Sequence, residues 1–269
     1  MEFEFQKYHG AGNDFILIND QSEKFPFKNS DRIRSLCDRK FGIGADGLIV
    51  IRNHDKFDFE MFYFNSDGKQ GSLCGNGSRC AVAYRVKEGL MKNRVIFKAI
   101  DGIHSAKAES NNIFSLSLKD VKKIEHDKSA LFLDTGSPHY VKLVENLDDI
   151  NVRVEGSLIR NSDKYKKQGV NVNFVKILGS SQIKIRTYER GVEDETLSCG
   201  TGSVASSIAF HFLKLTESNK IKVETNGGIL EVEFNFMSDI YRDICLKGPA
   251  EEVFSGKIKW WVTTRKIYL

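Results

Sequence analysis

The chain has 269 residues, 41% of them hydrophobic and 28% charged, with a formal net charge of +4; this is the composition of a globular protein with one large or two medium domains, not of a disordered chain. No uninterrupted apolar run approaches the roughly 20 residues that cross a bilayer, and the opening MEFEFQKYHG lacks the basic start and apolar stretch of a secretory signal, so the expected location is cytoplasmic, with no membrane partner. The lysines are dispersed, with only short clusters such as KYKKQ, which read as a solvated face and not as a nucleic-acid surface.

In chain order, FEFQKYHG and FILIND read as strands around the glycine turn HGAGND, DRIRSLCDRKF as a helix, and LIVIR and FDFEMFYFN as strands. SRCAVAYRVKEGL is helical, with a glycine near its end, and is followed by strands RVIFKA, IHSAKAE and IFSLSLKD. From about residue 130 a comparable order begins again, with LFLDTG, HYVKLVE, VNFVKIL and IKIRTYERG as strands, SVASSIAFHFLKL as a helix and KIKVETNGGILEVEF as a hairpin.

The five cysteines, at 37, 74, 80, 199 and 245, fit neither a disulfide framework nor a CxxC zinc site, so they are expected to be reduced thiols. Cys37, Cys80 and Cys245 read as small buried hydrophobes. Cys74 and Cys199 differ because glycine follows each. Aligning MFYFNSDGKQGSLCGNGS with RTYERGVEDETLSCGTGS puts the two cysteines 125 positions apart in matching contexts: a strand with a tyrosine, a polar loop, then Cys-Gly-x-Gly-Ser opening a helix. A duplicated unit folded about a pseudo-two-fold axis would bring them face to face.

A thiol at a helix N-terminus feels the positive end of the macrodipole and the unpaired backbone N–H groups, and is expected to ionise more readily there. The following glycines let an anion approach those donors. Two such ends across a cleft would hold one carboxylate and flank the adjacent carbon with two sulfurs, the equipment for removing a proton from one face and returning one to the other. Ordinary capping with buried cysteines explains either motif alone less well once both occur together, and a disulfide between them would be an inactive form. GIGADG, residues 42–47, matches the dinucleotide fingerprint, but a helical segment precedes it and a strand follows, the reverse of what pyrophosphate binding needs. It reads as a turn entering a strand near the site.

These segments, together with KYHGAGNDF, GIGADGL, FNSDG, CGNGSRC, Pro138-His139, VNFV, YERGVEDET, CGTGS and GPAEEVFSG in that order, make the chain resemble the diaminopimelate epimerases along nearly its whole length. The resemblance implies a cofactor-independent isomerase, without a metal, that interconverts L,L- and meso-diaminopimelate on the route to lysine and peptidoglycan precursors. It implies two similar α/β domains, each a curved, mostly antiparallel sheet around a central helix, with the active site between them. The boundaries expected are 1–122 with a returning segment 247–269, ending in the strand IKWWVTTRKIYL, and 123–246. A homodimer is also implied, with KWWV and other strand edges as candidate interfaces.

Carried over by position, the resemblance makes Cys74 and Cys199 the acid/base pair, with His139 and Glu189 tuning them. Gly75, Asn76, Gly200 and Thr201 would supply donors to the reacting carboxylate. Asn13, Asn65, Asn171, Glu189 and Arg190 would hold the distal amino-acid end, arginine suiting a carboxylate and the glutamate and asparagine oxygens an ammonium. Two departures fall on distal recognition: Ser137 stands where many relatives have asparagine, and Gly47 where many have glutamine. Two other readings compete: a proline or hydroxyproline racemase with the same two-cysteine chemistry, argued against by Asn76 and the Glu189-Arg190 pair, and a non-catalytic carboxylate-binding protein, which would not need both thiols.

Overall fold

The computed structural model describes residues 2–71, 73–89, 94–110 and 112–259, so the expected C-terminal strand, with both tryptophans of KWWV, lies outside the described residues from position 260 onward. The first half runs β1 (Glu2–Gly10), β2 (Asn13–Asn19), α1 (Ser30–Cys37), β3 (Gly47–Arg52), β4 (Phe59–Asn65), α2 (Gly75–Lys87), β5 (Arg94–Ala99), β6 (Gly102–Ser110) and β7 (Ile113–Ser117). The second runs β8 (Ile124–Asp127), β9 (Ala130–Asp134), β10 (Pro138–Leu143), α3 (Val152–Arg160), β11 (Asn171–Gly179), β12 (Gln182–Glu189), β13 (Asp194–Thr196), α4 (Gly200–Phe212), β14 (Lys220–Thr225), β15 (Gly228–Met237) and β16 (Ile240–Pro249). A last strand, β17 (Glu251–Lys259), returns to the first half.

The pairings repeat. In the first half β1–β2 is antiparallel, β2–β3 parallel, β3–β4 antiparallel, β4–β5 parallel, and β5–β6 and β6–β7 antiparallel. The series β9–β10, β10–β11, β11–β12, β12–β14, β14–β15 and β15–β16 has the same sequence of senses. Each parallel pair needs a crossover, and helices supply it: α1 and α3 at the first, α2 and α4 at the second. β17 flanks β1 as β8 flanks β9, and β7 pairs with β16 to join the halves. Two pseudo-symmetric α/β domains result, each a sheet curled around one helix.

Burial explains the curl. α2 and α4 each bury eleven of thirteen residues, so neither has a solvent face and the sheet must enclose them. Small residues on α4 let strands approach closely, and the buried hydroxyls of Ser203 and Ser207 bond back to the carbonyls of Cys199 and Ser203. α1 and α3 cover the outer face. Phe15 and Leu17 of β2 pack towards α2, while Ile16 and Ile18 pack towards α1. In β3, Ile49 and Ile51 divide from Leu48 and Val50 in the same way. A strand covered on both faces reads as a continuous apolar run, which FILI and LIVI are.

Both cysteine motifs open helices as expected, and GIGADG is a turn leading into β3 at Gly47. The sequence reading missed α3, whose valines and central Gly156 weaken any helical signal. Gly156 is there because a Cβ would come within 2.4 Å of Tyr188. The expectation for Cys245 is corrected: Cys37 and Cys80 are buried, whereas Cys245 is only partly covered, on the alternating strand β16. Among the described residues no helix is long and apolar enough to cross a membrane.

Candidate active site

Strand alternation and helix starts converge on a cavity of about 270 Å³ between the halves. Cys74 and Cys199 are the N-caps of α2 and α4, both in extended conformation, and both line it. The helices meet through glycine: a Cβ on Gly75 would lie 3.9 Å from Gly200 Cα, and one on Gly200 would lie 3.7 Å from Gly75 Cα. Side chains at these two positions would already be in contact, and a Cβ on Gly200 would come within 2.8 Å of Leu246 Cδ2, so glycine keeps this meeting point open and both helix ends aim their unpaired N–H groups into one space.

The thiols differ in partners. Cys74 Sγ accepts from the Gly77 N–H at 3.4 Å and lies 3.7 Å from Asn13 Oδ1. Cys199 Sγ lies 3.6 Å from Thr201 Oγ1. Burial pushes the Cys74 thiol up to about 12, against the pull of the Gly77 N–H, and it pushes Cys199 further in the same direction, helped by nearby Glu189. This corrects the expectation of readily ionised thiols: loss of water outweighs the helix terminus at both sulfurs.

His139 does not line the cavity; it is fully buried behind Thr201. Its Nε2 is 2.9 Å from Thr201 Oγ1, and its Nδ1 faces Asn173 Nδ2 at 3.0 Å. Asn173 Nδ2 also donates to the Tyr140 carbonyl, while Asn173 Oδ1 accepts from Thr187, so the amide is oriented and His139 Nδ1 is an acceptor. The proton is then on Nε2, donated to Thr201, whose own hydroxyl proton is left for Cys199. Burial, then the charge of Arg190, holds this imidazole neutral, with its pKa down to about 3.

The remaining expected residues, Asn13, Asn65, Asn76, Asn171, Glu189, Arg190 and Thr201, all line the cavity. Glu189 accepts from Thr196 Oγ1 at 3.1 Å, and burial raises its carboxyl to about 7. Arg190 donates to the Gln168 carbonyl and has no carboxylate partner among the described residues, so its guanidinium is available to an anion. Asn171 receives the Arg190 backbone N–H and donates to Ser137 Oγ at 3.0 Å, so the Ser137 departure keeps a hydrogen bond at this point. Asn13 donates to Asp46 Oδ2 at 2.7 Å, which gives the GIGADG turn its place beside the site.

Sequence reasoning missed Tyr63, Gln70, Gly71, Leu73, Gly191 and Ser198, which also line the cavity. Tyr63 was accessible to it, being two residues before Asn65 on the same strand face. Its ring also accounts for Gly47, where a Cβ would come within 2.6 Å of Tyr63 Cε2. Among the described residues no cluster of three or more His, Cys, Asp or Glu is arranged to hold a metal ion.

Comparison with known proteins agrees with this geometry. The family described as diaminopimelate epimerase matches residues 5–116 and 131–249, one segment in each half. The chain is 50% identical to the diaminopimelate epimerase of Flavobacterium psychrophilum, over 94% of this chain and 98% of that one. It is 39% identical to that of Chlorobaculum tepidum, over 93% and 98%, and 37% identical to that of Aquifex aeolicus, over 95% and 97%. Among solved structures, a Bacillus anthracis phenazine biosynthesis protein of the PhzF family superposes with a TM-score of 0.78 at 14% identity, covering 97% of this chain and all of that one. A hydroxyproline epimerase from Agrobacterium vitis with bound trans-4-hydroxy-L-proline gives 0.68 at 12%, covering 96% and 92%; at such identities the likeness is one of fold. With two cysteine-capped helices opposed across one cleft and relatives matched over more than nine-tenths of its length, the chain belongs to the diaminopimelate epimerase family and is an isomerase.

Proposed function

We propose that Cys74 and Cys199 are the two acid/base groups of a cofactor-independent epimerisation of L,L- to meso-diaminopimelate, serving lysine and peptidoglycan precursor synthesis in the cytoplasm. The observation that carries this reading is the pair of cysteine N-caps facing one cavity. The N–H groups at Gly75, Asn76, Gly200 and Thr201 receive the reacting carboxylate, and the α-carbon then lies between the sulfurs. One sulfur, as thiolate, removes the α-proton; the developing negative charge spreads into the carboxylate, where preorganised donors stabilise it by about 3 kcal/mol each. The other sulfur, as thiol, protonates the opposite face, and the two have exchanged roles.

At the far end of the cavity Arg190 pairs with the distal carboxylate, and the oxygens of Asn65, Asn171 and Glu189 receive the distal ammonium, with Asn13 nearby. His139 acts on Cys199 through Thr201, and Glu189 acts on both thiols by charge. These distal groups speak against a proline-type racemase, whose substrate has no distal head. The test is L,L-diaminopimelate in D₂O with chiral product analysis. Early product carries deuterium at the inverted carbon while recovered substrate carries almost none, and L-proline is not turned over. Equal early labelling of substrate and product would mean one base, and retained turnover in Cys199→Ala would end the paired-thiol reading.

The domains we assign are 1–122 with 247–269, and 123–246. The enzyme is proposed to be a homodimer. In support, β17 pairs only with β1 among the described residues, and it carries the exposed apolar side chains of Val253 and Phe254. Light scattering at micromolar concentration is expected to give twice the chain mass, and a monomer alone would refute it.

A further inference from the structure

Arg79 lies in the second turn of α2 with none of its surface exposed. A guanidinium so deeply placed ordinarily has a carboxylate beside it. Here none pairs with it among the described residues. Its donors reach three neutral acceptors, Asn76 Oδ1 at 2.7 Å, Pro249 O at 3.3 Å and Gly75 O at 3.4 Å. The contacts to Asn76 and Gly75, three and four residues back along the helix, show the side chain turned to the N-terminus, beside the turn that Cys74 caps. β1 and β16 present bare backbone to it, since a Cβ on Gly10 or Gly248 would come within 3.4 or 3.1 Å of the guanidinium. The matching position of α4, 125 residues on, is Val204, so only one half carries the charge.

Arginine only donates and a carboxylate only accepts, so the hydrogen bonds leading from Arg79 have one direction. Arg79 donates to Asn76 Oδ1. Asn76 Nδ2 then donates to Asn13 Oδ1 at 3.2 Å and, across the cleft, to the Ser198 carbonyl at 3.0 Å. Asn13 Nδ2 in turn donates to Asp46 Oδ2. Both amides are oriented from their two ends, and the chain ties one domain to the other immediately behind the sulfur of Cys74.

We propose that Arg79 is a positioning residue of the epimerase reaction: it orients the Asn76 and Asn13 amides, and its counter-ion is the negative charge that the reaction brings to the helix N-termini, the Cys74 thiolate and the bound carboxylate. The proposal rests on Cys74 being one of the two acid/base groups. The groups facing Cys74 are Arg79 and Cys80 on its own helix, Tyr63 from β4, Glu189 from β12 and Cys199 from the start of α4. Asp46 bears by charge on Tyr63 and Glu189, and Arg190, which lines the cavity, bears by charge on His139 behind Thr201. Arg79 is the cation among those that bear on the thiol itself, and it opposes the burial that keeps that thiol protonated.

The test measures the rate of iodoacetamide alkylation at pH 8 at Cys74 and at Cys199 separately, by peptide mapping, together with kcat and KM; well below a thiol's pKa this rate follows its thiolate fraction. Arg79→Met keeps most of the bulk and removes the charge; the Cys74 rate is expected to fall by about tenfold or more, with a smaller change at Cys199 and a kcat lower by about 100-fold. Arg79→Lys keeps a charge and loses the fork; its Cys74 rate stays within about threefold of the parent while kcat falls about tenfold. An unchanged Cys74 rate in folded Arg79→Met overturns the proposal. If that variant does not fold, Arg79→Lys decides, and parental kcat there overturns it. Alkylation needs no turnover, so an error in the assigned reaction would appear in the unaltered enzyme's product analysis and not in these rates.

Discussion

Glu189 shows how burial and chemistry are coupled in a single side chain. Its carboxyl is raised from 4.5 to about 7, first by loss of water and then by Asp46. Between those values the folded state binds more protons than the unfolded chain, so the contribution is present below pH 4.5 and is lost as pH rises through 7. Because the carboxyl faces the cavity, the loss is on the order of 1–2 kcal/mol, less than a dry site would give. Glu189→Gln is therefore expected to melt at least as high as the parent at pH 8 and to lose this component of the decline between pH 5 and pH 8. Parallel decline in both proteins would refute the assignment. The two cysteines were legible in the sequence because the motif occurs twice in matching contexts, whereas the distal polar residues, which line the same cavity, were named only through the family resemblance. The direction of the thiol shifts was not, because burial depends on the sheet closing around α2 and α4. Arg79 was equally hidden: nothing local reveals that no carboxylate comes to meet it.

At the scale of elements, turns hold the halves in register. The β1–β2 turn enters the second domain, where a Cβ on Gly227 would come within 1.9 Å of the Ala11 carbonyl, and the Gly227 N–H bonds to the Leu197 carbonyl. Backbone meets backbone there, so no rotamer change relieves an added methyl. Gly227→Ala is expected to destabilise by about 2–4 kcal/mol, read as a fall in the urea midpoint at unchanged slope, and to lower activity because Leu197 leads to Cys199. A midpoint within experimental error of the parent would show that the contact is not maintained in solution. Sequence patterns revealed most strands here, since β-branched and aromatic runs such as FILI and LIVI are long and bounded by glycine. β17 escaped them because AEEVFSGKIK is largely exposed and has little apolar alternation. The β8 and β13 strands escaped because they are short.

The whole molecule is a duplication whose ends are exchanged. β8 enters β9 through the two-residue turn Lys128-Ser129, Asp127 pairing with Ala130. Its counterpart β17 pairs with β1 through Lys259 opposite Glu2, yet these lie at the two ends of the described chain. The repeat of element order was visible as a rhyme between the halves, but this exchange depends on which strand completes which sheet and is not local in sequence. It yields a prediction about the domain boundary at 122/123. Lys122 and Lys123 are exposed between the Val121–Tyr241 bridge and β8, where new termini disturb little. Because Lys259 and Glu2 pair across β17 and β1, a glycine-rich linker is used to join Leu269 to Met1. A permuted chain beginning at Lys123 and ending at Lys122 then has each domain contiguous, β8 to β16 followed by β17 to β7. It is expected to refold cooperatively, to melt within a few degrees of the parent and to keep both thiols in one cleft, with turnover within about tenfold. An insoluble or non-cooperative permutant would mean that 122/123 interrupts a folding unit and that the boundary lies elsewhere.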